Sequence, residues 1–219
     1  MLFLPLVIRD SYKIMIRILH TADWHLGQTF FGYDRTEEHG VFLNWLAEEI
    51  RQKEIDALII AGDVFDVSNP SAASQSMYYQ FIYRVTAENP YLQIVIVAGN
   101  HDSAARLEAP LPLLQAMRTE VRGVVRKLEG GEIDYDHLTV ELKNRKGEVE
   151  LLCMAVPFLH PTPATTLPIC NTRILFELSL VSVDIHTPYS YSFSMSLLSH
   201  HFNSVYCSVS FMAFCFRRG

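Results

Sequence analysis

Three apolar runs in the first hundred residues end abruptly in polar clusters. "MIRILH" (15–20) leads into "TADWH", "DALIIA" (56–61) into "GDVFD", and "YLQIVIVA" (91–98) into "GNHD". Short apolar runs of this kind predict buried strands. The segments between them follow another period. In "TEEHGVFLNWLAEEIRQKE" (36–54), Val41, Trp45, Leu46 and Ile50 recur at helical spacing. Acids gather early in that segment and Arg51 and Lys53 late, as the helix macrodipole favours. Ser71 is placed to cap a second helix through "AASQSMYYQFIYRVTAE", and Asn89-Pro90 to stop it. A short helix is predicted around 111–118. Strand and helix thus alternate as in a parallel α/β sheet, which takes its ligands beyond the carboxyl ends of the strands. The three polar clusters fall at those ends.

After about residue 120 the pattern becomes β-rich, with "VRGVVRKL", "HLTVELKN" and "EVELLCMAVPF", the last two joined by a turn at Lys146-Gly147. These segments predict an antiparallel extension of the same sheet or a second packed sheet. From residue 164 the pattern dissolves. Residues 164–219 hold five charged residues, ten serines and one glycine, Gly219, and follow neither a strand nor a helix period. Such unsorted sequence predicts an aberrant or disordered, poorly determined tail, as from a chain read out of its proper frame. At the other end, "MLFLPLVI" is apolar but lacks the basic flank and small-residue cleavage site of a signal peptide. The expected organisation is an N-terminal extension over 1–14, an α/β domain over 15–163 and the tail over 164–219.

Composition narrows the function classes. Hydrophobic residues form 49% of the 219 and charged residues 19%, enough for a sizeable core. The net charge of −6 argues against a basic module that grips nucleic acid by bulk electrostatics. Cys153, Cys170, Cys207 and Cys215 have no metal-ligand spacing, so reduced thiols in a cytoplasmic protein are expected. No apolar run reaches the roughly 18 residues of a membrane span, so no membrane association is expected.

The clusters themselves carry the chemistry. Asp23 and His25 follow the first strand, Asp63 and Asp66 the second, and Asn100, His101 and Asp102 the third. Each string alone is ordinary turn or capping chemistry. Three of them in order, each closing an apolar strand, are more than that. Carboxylate, imidazole and amide oxygen at one sheet edge make a mixed N/O site that suits manganese, iron or zinc better than calcium. A carboxylate between two such cations can bridge them in the clamp used for displacement at phosphorus.

"DWH", "GDVFD" and "GNHD" resemble the first three motifs of the calcineurin-like metallophosphoesterase superfamily, D-x-H, G-D-x-x-D/H and G-N-H-D/E. Within it, "ILHTADWHLGQ", "AGDVFD", "VAGNHDS" and "VPFLHP" are similar to the SbcD family of bacterial nuclease subunits, over about residues 15–163. Protein phosphatases of the superfamily carry other residues where this chain has Leu26 and "VS" after Asp66. The resemblance implies the N-terminal half of a metallophosphoesterase sandwich and two divalent metal ions, Mn2+ foremost. Asp23 and His25 would bind one metal, Asp63 would bridge both, and Asn100 would bind the second. His101 would act catalytically at the scissile phosphate. Asp66 would be a catalytic substrate-side or supporting group, and Asp102 would orient His101 or brace the loop. The implied activity is metal-dependent 3'-5' double-strand exonuclease and single-strand endonuclease action in DNA recombination, replication and repair. DNA and the ATPase subunit SbcC would be the partners.

The chain departs from that pattern beyond residue 163. Family members run to about twice this length and carry Gly-His and Gly-His-x-His strings with further metal-ligand histidines. Here His186, His200 and His201 are not preceded by Gly. A truncated, impaired nuclease is therefore expected, without the SbcC-binding segment. Two other readings stay open: a superfamily phosphoesterase acting on a small phosphate ester, and an inactive frameshifted fragment.

Overall fold

The computed structural model describes residues 16–159 and, for the backbone alone, 212–217. In chain order the elements are β1 (Ile18–Thr21), β2 (Thr29–Phe30), β3 (Tyr33–Asp34), α1 (Thr36–Gln52), β4 (Ala57–Ala61), α2 (Ala72–Glu88) and β5 (Gln93–Val97). There follow α3 (Ala104–Glu108), α4 (Leu111–Ala116), β6 (Thr119–Arg122), α5 (Tyr135–Leu138), β7 (Thr139–Lys143), β8 (Val149–Val156) and β9 (Met212–Arg217). The three predicted strands, β1, β4 and β5, form a parallel sheet with β6 in the order β1-β4-β5-β6, and β1, at the sheet edge, is only part-buried where a buried strand was expected. Ile18 lies opposite Ala57, Ala57 opposite Gln93, and Ile94 opposite Thr119.

β4 is buried at every position, and successive side chains meet different layers. Leu58 and Ile60, with Ile94 and Ile96 of β5, join the core with Leu46 and Ile50 of α1 and Phe81 and Ile82 of α2. Ala57, Ile59 and Ala61, with Val95 and Val97, pack instead on Val140 and Leu142 of β7 and Cys153 and Ala155 of β8. Burial on both faces hides the strand period and leaves the continuous apolar runs seen in the sequence. Each fully buried Ile or Leu here contributes about 1.5–3 kcal/mol by transfer from water. Helices, parallel sheet and antiparallel sheet are thus three layers.

β7, β8 and β9 form a separate antiparallel sheet, which decides for the second packed sheet over an extension of the first. Only Thr119–Arg122 of the region around "VRGVVRKL" is a strand, and it joins the parallel sheet as β6. The rest carries an isolated bridge between Lys127 and Ile133. The inward face of α1 also differs from expectation. Leu43, Leu46, Ala47 and Ile50 are buried, whereas Val41 and Trp45 are 71% and 54% exposed. Both stripes fit the helical period, and packing against α2 and the sheet selects the first. α2 begins and ends as predicted: the Ser71 hydroxyl accepts from the Ser74 N–H at 3.1 Å, and the helix stops before Asn89-Pro90.

The expected N-terminal extension and most of the expected tail lie outside the described residues. Within the tail, Met212–Arg217 forms β9 antiparallel to β8, with Phe214 opposite Met154. The open edge of β8 offers the N–H and C=O groups for that pairing. Among the described residues no helix is long and apolar enough to cross a membrane.

Candidate metal centre

The polar clusters occupy the loops at the carboxyl ends of β1, β4 and β5. The first two loops are zipped together by their backbones. The N–H groups of Asp23, His25 and Leu26 donate to the carbonyls of Gly62, Asp63 and Val64 at 3.1, 2.9 and 2.9 Å. This path puts Asp23, His25 and Asp63 in the left-handed region, with φ of 55°, 46° and 49°. Asp and His visit it more readily than most residues, yet each such residue still stores about 1–3 kcal/mol. Strain falls on the side chains with metal-ligating chemistry.

The third loop is pressed against the second. A Cβ on Gly99 would overlap the Asp63 carboxylate and backbone nitrogen, so only glycine fits. Asp102 then ties the two loops together. Its carboxylate, buried, accepts from the N–H groups of Gly99, Phe65 and Val64 at 2.8, 3.0 and 3.2 Å. Burial pushes the Asp102 carboxyl up from its ordinary pKa, while those three donors pull the other way. Of the two roles expected for Asp102, bracing is the one its contacts support. His101 is oriented by another group: its Nδ1 lies 2.7 Å from the Asp66 carbonyl, which can only accept, so Nδ1 carries the proton. That bond is the main cause holding the His101 imidazole above its usual pKa, with burial opposing it.

The donors converge around His25. Its Nε2 lies 4.0 Å from Asp23 Oδ1 and 3.9 Å from Asp63 Oδ2. Two ligands about 2.0–2.2 Å from one cation can be at most about 4.4 Å apart, so His25 Nε2 paired with either carboxylate spans a distance that one divalent ion can bridge. The other Asp63 oxygen is occupied, accepting from the His101 N–H at 3.0 Å. His25 Nδ1 is buried without a hydrogen bond and lies 3.3 Å from Asp66 Oδ1, near enough to be its partner though not aligned for it. The His101 ring stands edge-on to His25 at 4.9 Å. His25, Asp63 and His101 together offer ligand-type atoms within 4.8 Å of one another, which brings His101 closer to the donor set than a purely substrate-side group needs to be. Asp23 and Asn100 are exposed at the rim.

Two contributors went unread in the sequence. Gln28 donates from Nε2 to Asp66 Oδ1 at 3.2 Å and itself accepts from Arg35 Nη1 at 2.6 Å. Gly99 looked like a turn glycine, and only the close approach of Asp63 explains it. The Gln in "HLGQ" was the available signal for the first. The leading Gly of "GNHD" was the signal for the second.

Residues 16–166 match the family described as "Calcineurin-like phosphoesterase". The SbcD subunit of nuclease SbcCD from Rhodobacter capsulatus is 44% identical over 145 residues, covering 66% of this chain and 36% of that protein. The protein of the same name from Escherichia coli K12 is 35% identical over 151 residues, covering 69% and 35%. The chain therefore spans about a third of the length of the curated relatives it matches. The structure of Pseudomonas putida nuclease MPE aligns with a TM-score of 0.33 at 18% identity, over 68% of this chain and 82% of that one.

Proposed function

Because the chain belongs to the calcineurin-like phosphoesterase family, we propose that it carries the N-terminal motifs of a metal-dependent DNA nuclease of the SbcD kind, acting with an SbcC-type ATPase partner. The observation that supports this best is the gathering of His25, Asp63 and His101 ligand atoms within 4.8 Å of one another at one sheet edge, with Asp23 Oδ1 4.0 Å from His25 Nε2. Asp23, His25 and Asp63 would hold one divalent ion, and Asp63 with Asn100 a second. This oxygen and imidazole set suits Mn2+. When bound, such ions supply Lewis-acid polarisation of the phosphodiester.

The chain's own residues do the rest. Asp66 Oδ1 stands 3.3 Å from His25 Nδ1, unaligned for a hydrogen bond, where a small adjustment on metal binding would let it fix the imidazole tautomer and turn Nε2 outward. Gln28 holds that carboxylate in turn. The His101 amide fixes one oxygen of Asp63 and leaves the other toward His25. With Nδ1–H committed to the Asp66 carbonyl, His101 has Nε2 left to face a scissile phosphate and, when protonated, to deliver a proton to the leaving oxygen. Asp102 works from behind, by keeping the loops in place.

Calorimetric titration of the 219-residue chain with Mn2+ tests this, beside Asp63→Asn, whose amide oxygen can still accept from the His101 N–H. Wild type should bind Mn2+ and the variant should not, with unchanged circular dichroism. Chelator-sensitive cleavage of linear duplex DNA supports the nuclease reading. Cleavage of bis(p-nitrophenyl) phosphate alone favours a small-ester enzyme. Undiminished Mn2+ binding by Asp63→Asn overturns the site.

A further inference from the structure

The hairpin between the first site loop and α1 plays no part in the centre described above. β2 and β3 pair Thr29 with Asp34 and Phe30 with Tyr33. The two-residue turn, Phe31-Gly32, has φ of 48° and 82°, the left-handed pair required by a type I′ turn. Asn-Gly is the favoured sequence for such a turn, and a bulky aromatic at φ above zero is an outlier. Phe30, Phe31 and Tyr33 are 60%, 90% and 76% exposed, with the Phe30 and Phe31 rings edge-to-face at 4.6 Å. Single exposed apolar residues need no explanation, but three aromatics on one short hairpin form a patch that does.

That patch is mounted on the metal centre. The Gln28 N–H donates to the His25 carbonyl at 3.0 Å, and its side chain binds Asp66. Across the base of the hairpin, Arg35 closes onto Gln28. On the far side, Asp34 Oδ1 accepts from the Thr36 N–H and hydroxyl at 2.8 and 2.5 Å, which joins the hairpin to α1. The aromatics are therefore held at a set position relative to His25. Extended chain from His25 to Phe30 reaches at most about 17 Å, or about five base steps at ~3.4 Å per step.

We propose that Phe30, Phe31 and Tyr33 form a stacking platform for unpaired nucleobases of the strand whose phosphodiester lies in the metal centre. The inference rests on the nuclease reading. Two features favour bases over a protein surface as the occupant. The hairpin adjoins a centre built for phosphodiesters, and its rings stand outward with their faces unshared with any core. Nearby charge is acidic, from Asp34, Glu37 and Glu38, with Arg35 engaged by Glu38. Affinity on the hairpin must then come from ring–base contact, which every base can make.

The test is fluorescence anisotropy with Mn2+, using a nuclease-resistant phosphorothioate single strand and an abasic strand of equal length. Wild type should prefer the base-bearing strand. Phe31→Ala should lose about 5- to 150-fold in affinity for it, the range for one base–aromatic stack, and bind the abasic strand as before. Phe31→Tyr should keep the preference. Equal binding of the two strands by wild type, or a preference unchanged in Phe31→Ala, overturns the platform, leaves the nuclease reading standing and assigns the patch to a protein partner. Binding of neither strand overturns both.

Discussion

If the three motif loops form one clamped unit, Asp102 is the residue to remove. Its two oxygens satisfy three backbone donors, Gly99, Phe65 and Val64, at 2.8, 3.0 and 3.2 Å. In Asp102→Ala all three lose their partner inside the protein. A buried donor left unsatisfied costs about 1–3 kcal/mol, so a simple sum gives about 3–9 kcal/mol. The lower half applies, because the wild type already opposes its own gain by burying a charge, as the raised carboxyl pKa records, and because water can follow the truncation. About 3–5 kcal/mol is expected, at the upper end of single-residue effects. Against a typical domain stability of about 5–15 kcal/mol, that is a large share. Asp102→Asn should fall between: its carbonyl oxygen can still accept, but its NH2 must face a backbone N–H. Urea unfolding reports this through Trp24, which is buried beside Phe42 and Phe81 and donates to Thr21 Oγ1 at the end of β1. Midpoints should fall in the order wild type, Asn, Ala, and Mn2+ affinity should fall with them, because Asp63 is seated against Gly99. A loss below about 1 kcal/mol in Asp102→Ala, less than one orphaned donor should cost, would refute the clamp.

Other outcomes follow from single contacts. Gly99→Ala should destabilise by about 1–3 kcal/mol, as overpacking does, and weaken Mn2+ binding at least tenfold by displacing Asp63. Because Gly99 has no left-handed φ, a stabilising effect of about 0.4–1 kcal/mol in thermal melts is the outcome expected where space is free, and seeing it would discard the close approach. His39, buried on α1, is held below the ordinary imidazole pKa first by burial and then by Arg35. The unfolded chain therefore takes up a proton first, so this contribution to stability is complete above about pH 6.5 and is lost as pH falls toward the folded pKa. His39→Leu should narrow the gap between urea midpoints at about pH 7.5 and about pH 5.5, and an unchanged gap would assign the acid sensitivity to other groups.

How far the chain could be read depended on whether a feature is local. The three strand ends were legible because two-sided burial of β4 and β5 writes an apolar run, and the switch to Asp, His and Asn breaks it sharply. The Ser71 cap was equally local. β6 was harder to see, since Thr119 and Arg122 are buried yet polar; Arg122 is satisfied by the carbonyls of His137 and Val121 and the Glu120 carboxylate. In α1, Val41 and Trp45 fit the helical period as well as Leu43 and Ala47 do. Only the position of α2 separates them. Asp102, Gln28 and Gly99 each act through at least one pair 35 or more residues apart in the chain, which no periodicity records.

The strain and the clamp belong to one design. Asp23, His25 and Asp63 all hold left-handed backbone, a conformation that Asp and His adopt more readily than most residues but still at a cost. It persists because their N–H and C=O groups are tied across the two loops, because Gly99 leaves room, and because the Asp102 bonds close the third side. Beneath the loops lie the most completely buried strands, β4 and β5, so the strain sits on the part of the fold least able to yield. The electrostatics lead to the same point. Asp23, Asp63 and Asp66 crowd around His25, and among the described residues no Lys or Arg ion pair reaches any of the three. Carboxylates gathered around one imidazole repel one another, and a divalent cation is a group that would convert that repulsion into attraction. Under the proposed metal reading, a fold that spends backbone strain to hold these acids together recovers it when a cation is bound. On that reading the loops, tied by their backbones and by Asp102, are set before the ion arrives, and binding need not reorganise them.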